Sequence, residues 1–374
     1  MAAERVGSST GGQAKAVPVE QTAAQLCLPI ATAENPRGAT RRTTRDRLGV
    51  VLAGAPEAIG NAETAAPATM EEVAKRLTSA LVKVASNKGA PGPDGQTIEA
   101  LVERWPVVLP RLQADLLEGT YRPGEIRRAY ISKAGGGQRG LGIPDVVDRV
   151  VCEAVRRVLE PLWEPTFHPS SHGFRPGRSC HTAITEASQH LNDGYEWCVD
   201  LDLEKFFDLV CHQRLTAKLA ERVGDRRLLV LIGRLLRAKV VLPDGVVIDA
   251  EQGVPQGSPL SPLLSNVVLD ELDQELARRG HRFVRYADDA KVYVRSERAG
   301  QRVMAGLTRF IEGRLRLKVN QAKSAVARPE ERHFLGFRLR LDAQTGTVEV
   351  LLSERTKRNA MERAAHAAQL GRQP

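Results

Sequence analysis

Tyr286-Ala287-Asp288-Asp289 sets two carboxylates side by side between stretches suited to strands, Phe283-Val284 before them and Val292-Tyr293-Val294 after. Such a pair sits naturally at the tip of a β-hairpin, where both side chains can reach one point. Like charges held that close repel, so the pair suggests a cation, most simply Mg²⁺, which takes hard oxygen ligands. An isolated Asp-Asp step is more often a solvated turn, because Asp favours turns. The chemistry therefore needs a third carboxylate and a channel for a substrate. Trp197 to Leu203 supplies the carboxylate: Trp197, Val199, Leu201 and Leu203 alternate with Cys198, Asp200 and Asp202. That pattern is a strand with one apolar and one acidic face. An acidic face on a strand headed into a core needs a reason, and Asp202 stands near the strand end, where a site opens to solvent.

Two loops offer a substrate channel. Tyr130 to Pro144 reads as a hairpin with a Gly-rich tip flanked by Lys133 and Arg139. Glycines that let backbone N–H groups approach a phosphate, with two cations beside them, suit a triphosphate, although the spacing is not that of a P-loop. Gln252 to Pro262 is Gly/Pro-rich, carries amides at Gln252 and Gln256, and leads into a helix. It is a plausible cradle for a template base or nucleotide. His168 to His181 carries His168, His172, Cys180 and His181, but no second short-spaced pair completes a usual zinc site. Its run Phe174-Arg175-Pro176-Gly177-Arg178 better suits a rigid loop gripping a nucleic-acid backbone.

These residues need a frame. Residues 1–68 are rich in Ala, Gly, Thr and Ser and predict a mostly disordered extension with a basic patch at Arg41, Arg42, Arg45 and Arg47. Val73, Leu77, Leu81 and Val84 mark a helix that Asn87 to Gly95 breaks. A second helix covers about 97–118, interrupted at Pro106 and Pro110, and a third spans Val146 to Trp163. Two helical runs at 212–239 precede a hairpin turning at Asp244-Gly245. Around the acidic residues the order is strand, helices, loop and helix, hairpin, helix, strand. That order predicts an α+β fold, an antiparallel sheet with helices on one face and the carboxylates on the other. Two divalent ions held there, about 3.5–4 Å apart, stabilise the attacking and leaving oxygens of phosphoryl transfer.

The whole chain agrees with an acidic partner. Its 374 residues carry 54 Lys and Arg against 45 Asp and Glu, a net charge of +9, which favours nucleic acid. No apolar run approaches the roughly 18 residues that span a bilayer, so no membrane partner is expected. The N-terminus lacks a secretion pattern. Five cysteines with no CxxC spacing read as reduced, mostly buried thiols of a cytoplasmic protein.

Taken together, the motifs resemble the group II intron-encoded reverse transcriptase/maturase family of bacterial type. The resemblance runs from about Met70 to Leu352 through NKGAPGPDG at 87–95, KAGGGQRGLGIP at 133–144, SSHGFRPGRS at 170–179 and DLDLEKFFD at 200–208. It continues through GVPQGSPLSPLLSN at 253–266, RYADD at 285–289, LRLKVNQAKS at 315–324 and FLGF at 334–337. It implies a right-hand polymerase, with fingers at about 69–195 and 225–250, palm at about 196–224 and 251–352, and the start of a truncated thumb or maturase region at 353–374. It implies that Asp202, Asp288 and Asp289 hold two Mg²⁺, with Asp202 preferred to Asp200 by its place before Phe207. Phe207 would sit under the sugar and select dNTPs. Lys133 and Arg139 would meet the triphosphate, while Arg175, Gln256 and Gly257 would contact nucleotide or template. Lys323 would donate a proton to pyrophosphate, and Leu335-Gly336 would form the primer-gripping turn. The implied partners are an intron RNA template, a DNA primer or target and dNTPs; the implied activity is RNA-directed DNA synthesis in intron retrohoming, with a role in splicing open. The alternatives are an intron RNA-binding maturase whose polymerase is vestigial and a reverse transcriptase of another lineage, such as the retron type.

Overall fold

The computed structural model describes residues 67–132, 137–342, 344–354, 356–358 and 361–362. The expectations for residues 1–66, for Lys133 and for most of the segment after Ser353 lie outside them.

Helix α1 (Met70–Ser86) starts at Thr69, whose hydroxyl accepts from the Glu72 amide. Its buried stripe, Met70, Val73, Leu77, Leu81 and Val84, packs on α3 (Val146–Trp163). The Asn87 to Gly95 loop is tied down by arginines, Arg127 donating to the Pro91 carbonyl at 2.8 Å and Arg149 to the Ala90 carbonyl at 2.6 Å. Between them α2 (Ile98–Leu117) runs straight through Pro106 and Pro110, where an interruption was expected. The two prolines stand four apart on the solvent face, where their rings meet no packed neighbour, and the carbonyls that lose an amide partner are those of Val102 and Pro106.

Strands β1 (Ile126–Ser132) and β2 (Gln138–Pro144) form the expected antiparallel hairpin, in register Ile126↔Pro144 to Ser132↔Gln138. Strand β4 (Val240–Val241) joins β1 in parallel, and β5 (Val247–Ile248) closes the sheet after the Asp244-Gly245 turn. This sheet and helices α1 to α3 lie in the segments expected to form the fingers.

The palm sheet has the order β6-β7-β3-β8, all antiparallel: β6 (Arg282–Tyr286), β7 (Asp289–Val294), β3 (Trp197–Leu201) and β8 (Ala325–Ala327). Two-residue periodicity sorts its faces. Val199, Leu201, Ala290 and Val292 are buried on one face, under helices α8 (Ser261–Arg278) and α9 (Glu297–Phe310). Asp200, Asp289 and Lys291 take the other. That face is open only toward the hairpin tip, because α4 (Cys180–Asn192) crosses its far end, where the His190 ring meets the Tyr293 ring at 5.4 Å. Strands β9 (Phe337–Leu341) and β10 (Val348–Leu352) pair beside α4.

Connecting the two sheets are α5 (Phe206–Leu209), α6 (His212–Ala220) and α7 (Arg226–Leu236). Cys152 and Cys198 are buried free thiols and Cys211 is free and half-buried, as expected of these three; Cys27 lies outside the described residues. Among the described residues no helix is long and apolar enough to cross a membrane.

Candidate active site

Tyr286 pairs with Asp289, so Ala287 and Asp288 form the hairpin tip. Ala287 adopts φ +57°, a left-handed conformation that a non-glycine residue keeps only when its surroundings hold it. Two neighbours hold it. Gly173 presses so close that a Cβ there would collide with the Ala287 amide nitrogen. Arg285 supplies the rest. Its Nε and Nη2 donate to the two Asp273 oxygens at 2.7 and 2.5 Å, Nη2 also to Ser171 Oγ at 2.7 Å, and Nη1 to Asn266 Oδ1 at 3.0 Å and the Ala287 carbonyl at 2.8 Å. Arg285 and Asp273 are both 0% exposed. The five donors of the guanidinium are thus all used, one of them on the strained turn.

At the end of β3 the segment after α9 completes the site. The Asp202 amide donates to Ser324 Oγ at 3.0 Å, the Asn320 amide donates to the Asp202 carbonyl at 2.9 Å, and Leu203 bridges Val319. This fixes Asp202 half-exposed beside the hairpin tip. Burial, with a smaller push from the Asp202 charge, raises the Asp288 carboxyl above its ordinary range, while Arg139 reaching over from β2 pulls the other way. The fingers cation and the two palm carboxylates therefore share one field.

Asp289 is drawn elsewhere. Its Oδ1 lies 3.2 Å from the Nζ of Lys291, which is buried and also bound to Asp200. Arg332 takes the second oxygen of Asp200 at 2.6 Å and donates to the Lys323 carbonyl at 2.5 Å. Both Asp200 oxygens are committed, which leaves Asp202 as the strand's available carboxylate. Among the described residues no three His, Cys, Asp or Glu side chains converge as a finished metal cage. The donor set still suits Mg²⁺: all donors are oxygens, and mutual repulsion makes the ionised pair costly until a cation arrives. Burial, aided by Asp200 and opposed by Lys291, pushes Asp289 up to about 6. Mg²⁺ binding, titrated by isothermal calorimetry, is expected to weaken as pH falls through about 6. There Asp289 takes up a proton and its neutral carboxyl no longer attracts the ion. Equal affinity at pH values on either side would contradict this.

The remaining expected residues divide. Phe206 is buried, whereas Phe207 is half-buried and lines a cavity of about 690 Å³ together with Arg128, Gly142 and Gln256. The loop carrying Gln256 docks on both neighbours. The Gln256 carbonyl accepts from the Gly142 amide at 2.7 Å and the Val254 amide donates to the Phe207 carbonyl at 2.7 Å. Gly257, at φ +126°, passes so close to the Gly142 carbonyl that no side chain fits. Lys323 is exposed on the turn beside Asp202. Leu335 (φ +53°) and Gly336 (φ +87°) make a two-residue turn closed by paired 2.9 Å bonds between Phe334 and Phe337.

Arg175 does not face the site. Its side chain is 5% exposed, paired with Glu164 at 2.8 Å and donating to the His168 and Ser171 carbonyls at 2.7 Å. These partners use its fork inside the fold, so the expectation of a template contact is corrected. The loop around it serves the hairpin tip instead. His172 is held by Thr182 and Glu186 at 2.8 and 2.7 Å, which leaves it no valence for zinc.

Residues 131–339, more than half of the chain, match the family model "Reverse transcriptase (RNA-dependent DNA polymerase)". Protein YkfC of Escherichia coli (strain K12) is 35% identical over 295 residues, covering 68% of this chain and 77% of that protein. The group II intron-encoded protein LtrA of Lactococcus lactis subsp. cremoris is 29% identical over 300 residues, 63% of this chain and 50% of its own. An uncharacterised 91 kDa protein in a cob intron of Schizosaccharomyces pombe is 37% identical over 181 residues, 48% of this chain and 21% of its own. The chain thus spans about three quarters of one relative and half or less of the other two. With the carboxylates at the strand end and hairpin tip, and the motif loops docked around them, the chain belongs to the reverse transcriptase (RNA-dependent DNA polymerase) family, among relatives that include group II intron-encoded proteins.

Proposed function

We propose that the chain is an RNA-directed DNA polymerase that adds dNTPs to a primer 3′-OH in group II intron retrohoming. The observation that carries this is that Asp202, Asp288 and Arg139 lie close enough for their charges to act on one another, while Phe207 and Gln256 line one cavity. Asp202 and Asp288 would hold Mg²⁺, joined by Asp289 once it leaves Lys291. What the bound ions supply is charge neutralisation at the attacking and leaving oxygens. The protein positions the rest: Arg139 meets the triphosphate, Phe207 takes the sugar, and the Leu335-Gly336 turn supports the primer. Exposed Lys323 is suited to protonate the leaving pyrophosphate.

Primer extension on an RNA template with Mg²⁺ and dNTPs tests this. A second reading, an intron RNA-binding maturase with a lost polymerase, is favoured by the Asp289–Lys291 pair, which occupies one expected ligand. Tight RNA binding without extension would select it.

Sugar discrimination gives a sharper test. Phe207→Val is expected to raise rNTP incorporation relative to dNTP roughly 10–200-fold, the range a change of hydrophobic pocket volume supports. Ratios of kcat/KM for the two substrates measure it. An unchanged ratio would remove Phe207 from the sugar site.

A further inference from the structure

At the end of the palm sheet remote from the active turn lies a second cavity, of about 560 Å³, lined by Tyr195, Arg279, His281, Arg282, Arg295 and Arg302 among others. Among the described residues no Asp or Glu lines it. Arg279 is paired with Glu275 at 2.6 Å. Arg282, Arg295 and Arg302 are exposed and have no ion-pair partner among the described residues. Three unneutralised guanidinium groups around one hollow repel each other unless an anion joins them. The Arg295 guanidinium lies 4.8 Å from the centre of the Tyr195 ring, and Arg295 and Arg282 together hold the Tyr195 phenol below its ordinary range.

We infer that this hollow is a second RNA-binding site, in which the three arginines take successive phosphates of a single strand and Tyr195 stacks a base once Arg295 swings from its ring to a phosphate. Guanidinium forks match phosphate oxygens in pairs, and cations interleaved with an aromatic face are how single strands are held without sequence preference. A stacking ring has no such use toward an acidic peptide, which makes RNA the better occupant. Arg282 pairs with Tyr293, and the tip pair is Tyr286 with Asp289. Four residues of strand, about 13 Å at roughly 3.3 Å each, separate the two ends. A strand held here does not compete with the primer terminus, and it anchors the RNA on a rigid element shared with the active turn. The site uses residues outside the polymerase chemistry, although its ligand class rests on the proposed nucleic-acid function.

The test is fluorescence anisotropy with a labelled single-stranded RNA across a salt series, on the full chain. For Arg282→Ala/Arg295→Ala/Arg302→Ala the salt slope is expected to fall by about 2, three phosphates at about 0.7 each, with affinity down roughly a hundredfold at about 0.1 M salt. Replacing the same three by Lys should keep the slope, because the charge remains. Tyr195→Leu is expected to lower affinity roughly tenfold with the slope intact. Circular dichroism melts of the arginine variants should match the wild type, since those three side chains are exposed, and the melt of the half-buried Tyr195→Leu variant controls for its fold. An unchanged slope in the triple Ala variant overturns the site. So does a triple Ala variant that loses a polyglutamate peptide while keeping RNA, which would assign the surface to an acidic protein. Primer extension by the wild type is scored separately. Extension with an unchanged slope sinks this site and leaves the polymerase standing, and a lost slope without wild-type extension does the reverse.

Discussion

Asp288→Asn is expected to lower the rate of primer extension by roughly 10³-fold or more while leaving the fold intact. Removing one carboxylate from a metal-assisted phosphoryl transfer forfeits several kcal/mol of charge stabilisation, and each 1.36 kcal/mol is about tenfold. The structure separates this chemical effect from a folding effect. Burial already raises the Asp288 carboxyl above its ordinary range, so the ionised form is a burden to the folded chain and a neutral isostere removes that burden. Arg139 feels the loss of the Asp288 charge only through space, and it is exposed to water. Thermal unfolding should therefore be unchanged or slightly raised, and single-strand RNA affinity should be retained. Gel-resolved extension under single-turnover conditions, run beside a melt, is the measurement. Activity within tenfold of wild type in a well-folded Asp288→Asn chain would remove Asp288 from the reaction.

Much of this site was legible because its signals are local. Alternation over Trp197 to Leu203 gives a strand by itself, and an Asp-Asp step between two β-prone runs gives a hairpin tip. The turn at Asp244-Gly245 follows from residues that favour turns, and the palm sheet follows from the order of such pieces; the turn at Leu335-Gly336, where a leucine takes positive φ, is expected only from the family resemblance. What escaped depends on partners distant in the chain. Alternation places Asp200 and Asp202 on the same face. Only Lys291 and Arg332, 91 and 132 residues away, decide that Asp200 is committed. An arginine in a Gly/Pro loop looks the same whether it meets phosphates or carbonyls, so Arg175 was assigned outward although it points inward. The pull of Lys291 on Asp289 was invisible for the same reason. Arg285 did leave a trace, a cation between apolar residues on a strand that must be buried, matched by Asp273 among the apolar residues of α8. Pairing the two requires the topology.

Arg285→Met is expected to destabilise the folded chain by about 3–5 kcal/mol, because it leaves the Asp273 carboxylate buried without its partner. Burial is what sets this apart from the surface pairs. Arg340 and Glu349 are bonded at 2.6 Å with side chains 55% and 39% exposed, and such a pair is worth about 0–1 kcal/mol. Urea unfolding should show the difference directly, with Arg285→Met moving the midpoint far more than Arg340→Met. The compensated variant Arg285→Met/Asp273→Leu should recover much of the stability, since a buried ion pair replaced by apolar residues of similar volume is often neutral or stabilising. Extension activity should not recover with it. The Ala287 carbonyl, Ser171 and Asn266 would still lack the donors that Arg285 gave them, and Ala287 would be free to leave its left-handed conformation and carry Asp288 away from Asp202. A double variant that is stable and fully active would show that the tip is held by Gly173 and the neighbouring backbone alone. A stable and inactive one assigns Arg285 to positioning the catalytic turn.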